Sequence, residues 1–313
     1  MAIWHLSAGP SLRTYADLLL TFQVALVGPG DAGPWRPERS DDEFDGAAVR
    51  LLASEAQVGD VVVLREGTAK IVSIGLIASD YLYLPQFDDV NGWDLQHGRR
   101  VRWSGHAPYT FATLLFGSAT PAFGAVTQPE LVDYVRRFMN SALLNWQIAV
   151  LPPLPPEEPP LADVPEEIAD LVGQALDLSS MQATPDYFGD PPAEHEMVAH
   201  FVVPLLRALG WPPERIALEW HRIDVAVFHR LPRTPENLAF VVEAKRPHRG
   251  VESHLQQARD YLHALGVERD VVVTDGLRYR LYAADQQYVP MVYANLERLK
   301  QPGLDLIEYL KRR

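Results

Sequence analysis

A chain of 313 residues with 47% hydrophobic content is long and apolar enough for two domains with separate cores, which excludes wholesale disorder. Zero cysteines exclude disulfides and thiolate metal sites; with apolar runs too short for a membrane span and no basic-then-apolar leader, a reducing, cytoplasmic setting without membrane attachment is expected. The net charge of −13 argues against a nucleic-acid partner only if it is spread evenly, yet eleven acidic residues and no Lys or Arg fall between Leu151 and Glu196, which leaves −13 + 11 = −2 for the rest.

Residues 1 to about 106 read as β-rich. A strand is expected over 3–7, and the spacing of Leu12, Tyr15, Leu18, Leu19 and Phe22 predicts a helix over 11–22. A strand over 24–27 is ended by the turn signal Gly28-Pro29-Gly30-Asp31. Residues 36–45 are polar, and 47–52 suit a short helix. Gly59-Asp60 opens a hairpin with strands over 61–64 and 69–79 joined at Glu66-Gly67, and further strands are expected over 81–85 and 100–103. Short strands with a helix after the first make a small, partly open barrel.

Ser7-Ala8-Gly9-Pro10, the run FQVALVGPGD from Phe22, GDVVVLREGTAKIVSIGLI from Gly59 and RVRW from Arg100 resemble the EVE-like branch of the PUA superfamily, found at the front of modification-dependent restriction proteins. The likeness lies in spacing over about a hundred residues. It implies a flipped-out modified base held in an aromatic-walled pocket, where stacking offsets the free energy that unstacking a base costs. Trp4, Trp35, Tyr81, Tyr83, Trp93 and Trp103 are the candidate walls. So small a barrel also needs large core side chains, so two or three of them are expected to line a pocket. Trp35 and Trp93 are favoured because they sit among loop residues.

In residues 107–150 the one clear pattern is a helix over 129–144, with Leu131, Tyr134, Val135, Phe138 and Leu143 near one face. It suggests a brace for the first domain and no chemistry. Residues 151–165, LPPLPPEEPPLADVP, hold seven prolines in fifteen positions, which excludes a helix or central strand and favours extended polyproline II. This semi-rigid linker divides a front domain, 1–150, from a rear domain, 166–313. Residues 245–313 carry twelve basic and nine acidic residues, so a neutral or locally basic binding face is compatible with the composition.

The rear domain opens with an acidic helix over 165–178 and a loop over 184–192. A helix over 194–209 sets Val198, Phe201, Leu205 and Leu209 on one stripe that begins at Glu194, places Glu196 on the face of His200 and Val203, and is expected to kink at Pro204. A carboxylate opening such a stripe is either partly exposed at the first turn, where the helix dipole favours it, or part of a site. After Gly210-Trp211-Pro212-Pro213, strands are expected over 216–220, 223–228 and 239–244. The last runs into Glu243-Ala244-Lys245. Alternation puts Glu243 and Lys245 on one side of a strand whose approach is apolar on both faces, so its polar end needs an explanation. Asp224, near the start of the neighbouring strand, would set a second carboxylate beside Glu243. Carboxylates so placed hold a hard divalent cation, and the lysine orients or deprotonates a water next to it. A helix over 254–265 has Val251, Leu255, Ala258, Leu262 and Leu265 as its core stripe, with His254, Gln257 and Tyr261 on a neighbouring face. Strands over 270–274 and 279–282 follow, joined by Asp275-Gly276.

Glu194 on the first helix, Asp224 on the second strand, Glu243-Ala244-Lys245 on the third and Gln257 to Tyr261 on the next helix resemble, in that order, the PD-(D/E)xK nuclease superfamily. The nearest likeness is to nuclease domains of type I restriction subunits, and PLLRALGW and VVTDGLRYRLY also fit. The resemblance implies an α/β restriction-endonuclease-like domain that hydrolyses phosphodiesters with Mg²⁺, for which Mn²⁺ substitutes. Asp224, Glu243 and the Ala244 carbonyl would hold the ion, with Glu194 completing or supporting the site. Lys245 would position the attacking water, and Gln257 and Tyr261 would orient the lysine or contact a phosphate. Glu219, on the first strand, departs from the pattern as either an additional ligand or a plain edge residue. No Gly-rich Lys loop is present, so no nucleotide cofactor is expected. Together the two resemblances imply a modification-dependent endonuclease for double-stranded DNA with modified, cytosine-derived bases, acting against foreign DNA and as a homodimer where both strands are cut. A non-catalytic reader of modified DNA and an RNA-directed nuclease are the alternatives.

Overall fold

The computed structural model describes residues 1–9, 13–44, 46–104, 108–117, 120–141, 150–181, 193–246 and 255–311. Pro10, Leu12, Leu143, Val251, His254 and the expected loop over 184–192 lie outside them. The chain divides into two compact units, residues 1–90 with 94–157, and residues 91–93 with 158–313, so the main division falls inside the proline-rich run. Among the described residues no helix is long and apolar enough to cross a membrane.

The first unit is a curled, half-barrel sheet of eight strands. They are β1 (Ile3–Ser7), β2 (Val24–Val27), β3 (Val61–Glu66), β4 (Lys70–Ile77), β5 (Leu82–Tyr83), β6 (His97–Trp103), β7 (Tyr109–Thr110) and β8 (Phe123–Ala125). The order is β2-β6-β4-β3-β1-β8, with β5 beside β6 and β7 beside β4. β1 and β3 run parallel, and the other pairs are antiparallel. Helix α1 (Ala16–Phe22) precedes β2, and α2 (Ala48–Arg50) widens into a π-helical turn over Leu51–Glu55. The buried Arg99 closes this end by donating to the carbonyls of Leu52, Ala53 and Ser79. Helix α3 (Pro129–Met139) packs Leu131 and Val135 on Val61, Val63, Ile71 and Ile74. It ends at Met139, and positions 142–144 of the expected helix lie outside the described residues; β7 and β8 occupy a region in which no strand was legible.

The second unit is a six-stranded mixed sheet of β9 (Ile216–Trp220), β10 (Ile223–Phe228), β11 (Leu238–Ala244), β12 (Asp270–Thr274), β13 (Arg278–Tyr282) and β14 (Pro290–Asn295), ordered β14-β13-β12-β11-β10-β9. Only β11 and β12 pair in parallel. Alternation along each strand feeds two cores. Val225, Val227, Phe240, Val242 and Val272 meet helices α4 (Glu166–Met181), α5 (Glu194–Met197), α6 (Val203–Ala208) and α8 (Gln301–Leu310) on one face. Ala226, Val241, Val271 and Val273 meet Ala258 and Leu262 of α7 (Leu255–Ala264) on the other. The helix expected over 194–209 is present, with Val198, Phe201, Leu205 and Leu209 all buried. At the expected kink the chain instead widens into a π turn over Val198–Val202, ahead of Pro204. Proline has no N–H to give and its ring displaces the carbonyl four residues back, which the wider turn accommodates. β14 and α8 extend the order beyond the last strand read from sequence.

Candidate active site

β10 and β11 run antiparallel with Val225 opposite Val242, so one step further along Asp224 lies across from Glu243. Ala226 and Val241 belong to the core under α7, and alternation turns Asp224 and Glu243 to that same face. Asp224 Oδ2 accepts the Ala244 N–H at 2.7 Å, which ties the two strand ends together. Glu243 is 1% exposed, and its Oε1 accepts from Lys245 Nζ at 2.8 Å. The same Nζ lies 3.9 Å from Oε2 of the half-buried Glu194, on the first turn of α5. Asp224, Glu243, Lys245 and Glu194 are therefore brought together. Glu243 Oε2 is buried and has no hydrogen-bond partner among the described residues. An orphaned buried carboxylate oxygen is costly, so a cation or a donor is most favoured there.

The electrostatics follow from this enclosure. Burial drives the Glu243 carboxyl up to about 7; the charges of Asp224 and Glu194 add to the rise, and Lys245 reverses only part of it. Asp224 is also raised, chiefly by burial, with Glu219 and Glu194 adding and the Ala244 N–H opposing. Burial pulls Lys245 down, but its bond to Glu243 and the surrounding carboxylates outweigh that, so the ammonium is held above its ordinary value.

Among the described residues no group of three or more His, Asp or Glu converges closely enough to hold a metal ion. The donors that suit a hard cation are Glu243 Oε2, the second oxygen of Asp224 and the Ala244 carbonyl, all oxygens and two of them from carboxylates. By chemistry this set fits Mg²⁺.

The remaining expected residues fall around this centre. α7 covers the face to which Asp224 and Glu243 point, and Tyr261 packs against that core. Gln257 Nε2 donates to Tyr261 Oη at 3.1 Å, and neither side chain bonds to Lys245, which Glu243 and Glu194 hold. Glu196 accepts from Ala193 N–H at 2.8 Å and so closes the start of α5. Glu219 is exposed; Leu218 pairs with Val225 and Trp220 with Ile223, so Glu219 stands opposite Asp224.

In the first unit Phe44, Tyr81 and Tyr83 surround a histidine that the sequence reading missed, and Trp35 reaches it through Tyr81. His97 Nε2 lies 2.8 Å from the Pro29 carbonyl, which only accepts, so Nε2 carries the proton. His97 Nδ1 is then the acceptor for Tyr81 Oη at 2.8 Å, and Tyr81 Oη accepts from the Trp35 backbone N–H at 2.9 Å. Tyr81 stacks on His97 at 6.0 Å, and Trp35 meets Tyr81 edge-on at 6.5 Å. The Trp35 indole N–H is buried without a partner among the described residues, whereas Tyr83 Oη donates to the Gly30 carbonyl at 2.8 Å. The other rings lie elsewhere. Trp4 is 7% exposed, bonds to Asp60 Oδ2 and stacks on Phe123; Trp103 is 1% exposed and bonds to the Val24 carbonyl. Both are core side chains, because each has its donor satisfied inside and its ring enclosed. Trp93 belongs to the second unit.

A family described as a domain of unknown function (DUF8426) matches residues 35–117, a stretch within which Trp35, Tyr81, Tyr83 and His97 fall. No curated protein matches the sequence. Among solved structures, a fragment of a putative HsdR subunit of a type I restriction enzyme from Vibrio vulnificus YJ016 is similar at 20% identity and a TM-score of 0.26, over 38% of this chain and 25% of that one. The protein Rpa0253 from Rhodopseudomonas palustris is similar at 18% identity and a TM-score of 0.22, over 44% of this chain and 81% of that one. The chain thus spans a quarter of the length of the Vibrio fragment. At these TM-scores neither likeness carries an argument.

Proposed function

We propose that the second unit is a Mg²⁺-dependent phosphodiesterase centre of the PD-(D/E)xK kind, and that the chain as a whole is a modification-dependent DNA endonuclease. The observation that carries this reading is the buried Glu243, bonded to Lys245, across from Asp224 and with one oxygen left over. A hydrophobic core has no use for that trio, and retaining it is costly. Lys245, held charged between Glu243 and Glu194, is placed to orient a water and to stabilise charge developing on a phosphoryl oxygen. Asp224 and Glu243 would hold the ion with the Ala244 carbonyl, and Glu194, more open to solvent, would support the site from α5. Mg²⁺, when bound, supplies a polarised phosphoryl oxygen and a more acidic water. In the first unit, the unpartnered indole N–H of Trp35, whose ring meets Tyr81, supports an aromatic recognition site for a flipped, modified base.

A second reading is a non-catalytic reader of modified DNA. It is favoured by Lys245 already neutralising Glu243 and by the lack, among the described residues, of a preformed three-ligand group. Plain, cytosine-methylated, hydroxymethylated and glucosylated plasmids incubated with Mg²⁺ separate the two. Wild type is expected to cut one or more modified plasmids, whereas Asp224→Ala and Lys245→Ala cut at least about a hundredfold more slowly while still binding modified DNA. Binding to modified DNA without any nicking by wild type establishes the reader instead.

A further inference from the structure

The hairpin joining β9 to β10 is built against its own turn chemistry. Trp220 pairs with Ile223, so the loop consists of His221 and Arg222 alone. Their φ values of 49° and 73° place both in the left-handed region. A two-residue loop with both φ positive is a type I′ turn, for which Asn-Gly is preferred because a larger side chain crowds the backbone there. Glu219 has a φ of 52° as well. Three of the four residues 219–222 thus hold a conformation that L side chains avoid, and none is Gly, Asn or Asp.

Glu219, His221 and Arg222 are all exposed, so packing does not explain their choice. Trp220 fixes the tip from below, its ring meeting His221 at 4.4 Å and Phe228 at 5.2 Å, both edge-on. Arg222 has no hydrogen-bond or ion-pair partner among the described residues, although it lies two residues before Asp224. Asp224 feels the charges of both Glu219 and Glu194. A strand end crowded with carboxylates repels a phosphodiester unless cations stand beside it. Lys245 is already held by Glu243, which leaves the exposed Arg222 of the hairpin and the exposed Arg246 to meet an incoming backbone.

We propose that the His221–Arg222 hairpin tip grips the phosphodiester backbone of a nucleic acid and seats it beside Asp224, the strained turn persisting because its relaxed form would lack the cation. This rests on the phosphodiesterase reading of the second unit. The test is the full-length double variant His221→Asn with Arg222→Gly, which installs the preferred turn and leaves Asp224, Glu243 and Lys245 unchanged. Binding to a labelled DNA duplex is measured across salt concentrations without divalent cations, alongside thermal unfolding. The variant is expected to gain about 2 °C or more in the second unit's Tm. It is also expected to lose about tenfold in affinity and to show a salt slope shallower by about one. Arg222→Gln, which keeps the strained turn, is expected to lose the same slope without the gain in Tm. Unchanged affinity and slope in both variants, or a lower Tm in the double variant, overturn this inference alone. A wild-type chain that binds neither a plain nor a cytosine-modified duplex at any salt concentration, with or without Mg²⁺, overturns it together with the reading on which it rests.

Discussion

At Glu243 the carboxyl is held up to about 7 by burial, while in the unfolded chain it ionises near 4.5. Between those values the folded state keeps a proton that the unfolded state has lost. The corresponding stabilisation is whole below about 4.5 and gone once the pH has risen through about 7, a change of about 3 kcal/mol. Glu243→Gln preserves the shape and an acceptor for Lys245 but cannot ionise. Chemical denaturation of wild type is expected to show the second unit's midpoint falling between pH 5 and pH 8, and that of the variant staying level. Mg²⁺ is expected to raise the wild-type midpoint at pH 8 by balancing the ionised, otherwise orphaned carboxylate, and to leave the variant unmoved. A level wild-type midpoint would mean that Lys245 keeps Glu243 ionised throughout. The arrangement behind this prediction was legible in the sequence: strand alternation and the pairing of two apolar runs are enough to put Asp224 beside Glu243. Glu219's left-handed backbone was not legible, since no turn residue marks it.

Among the elements, legibility followed length and enclosure. β11 is buried along nearly its whole length, and the uninterrupted run before Glu243 announces that. β7 and β8 have two and three residues, too few for any periodicity to show. Trp4 and Trp103 resembled pocket walls because tryptophan suits either role; their acceptors, Asp60 and the Val24 carbonyl, are supplied by tertiary structure. One packing constraint within β4 is exact enough to test. A Cβ on Gly75 would lie 2.5 Å from Val101 Cγ1, 2.6 Å from Trp103 Cε3 and 2.9 Å from the Arg102 carbonyl oxygen. The last is backbone of β6 and cannot swing away. Gly75→Ala is therefore expected to destabilise the first unit by about 2 kcal/mol, read as faster hydrogen exchange in β4 and β6 with the second unit unchanged. Equal exchange in the two proteins would show that β6 yields at no cost.

For the molecule as a whole, each unit carries its own response to pH, and the signs are opposite. His5 and His97 are buried in the first unit and both are pushed down to about 4. Burial is the main cause for each; Arg65 adds to it at His5, and at His97 Arg39 adds to it while the bond to the Pro29 carbonyl opposes. In the unfolded chain these imidazoles take up protons near 6.5. As the pH falls from about 6.5 towards 4, the unfolded state therefore gains protons that the folded first unit refuses, and the unit loses about 3 kcal/mol for each histidine. Protonation at His97 Nδ1 also removes the acceptor for the Tyr81 hydroxyl proton, while Tyr81 Oη still accepts from the Trp35 backbone N–H. Over the same interval the second unit gains through Glu243. Hydrogen exchange at pH 5 and pH 7, corrected for intrinsic rates, is expected to show lower protection in β5 and β6 at pH 5, and higher protection in β10 and β11. His97→Gln, which keeps polar atoms at the ring position without titrating, is expected to remove part of the first effect and none of the second. Protection that falls in both units together at pH 5 would mean that a shared unfolding event, and not these buried groups, sets the acid response.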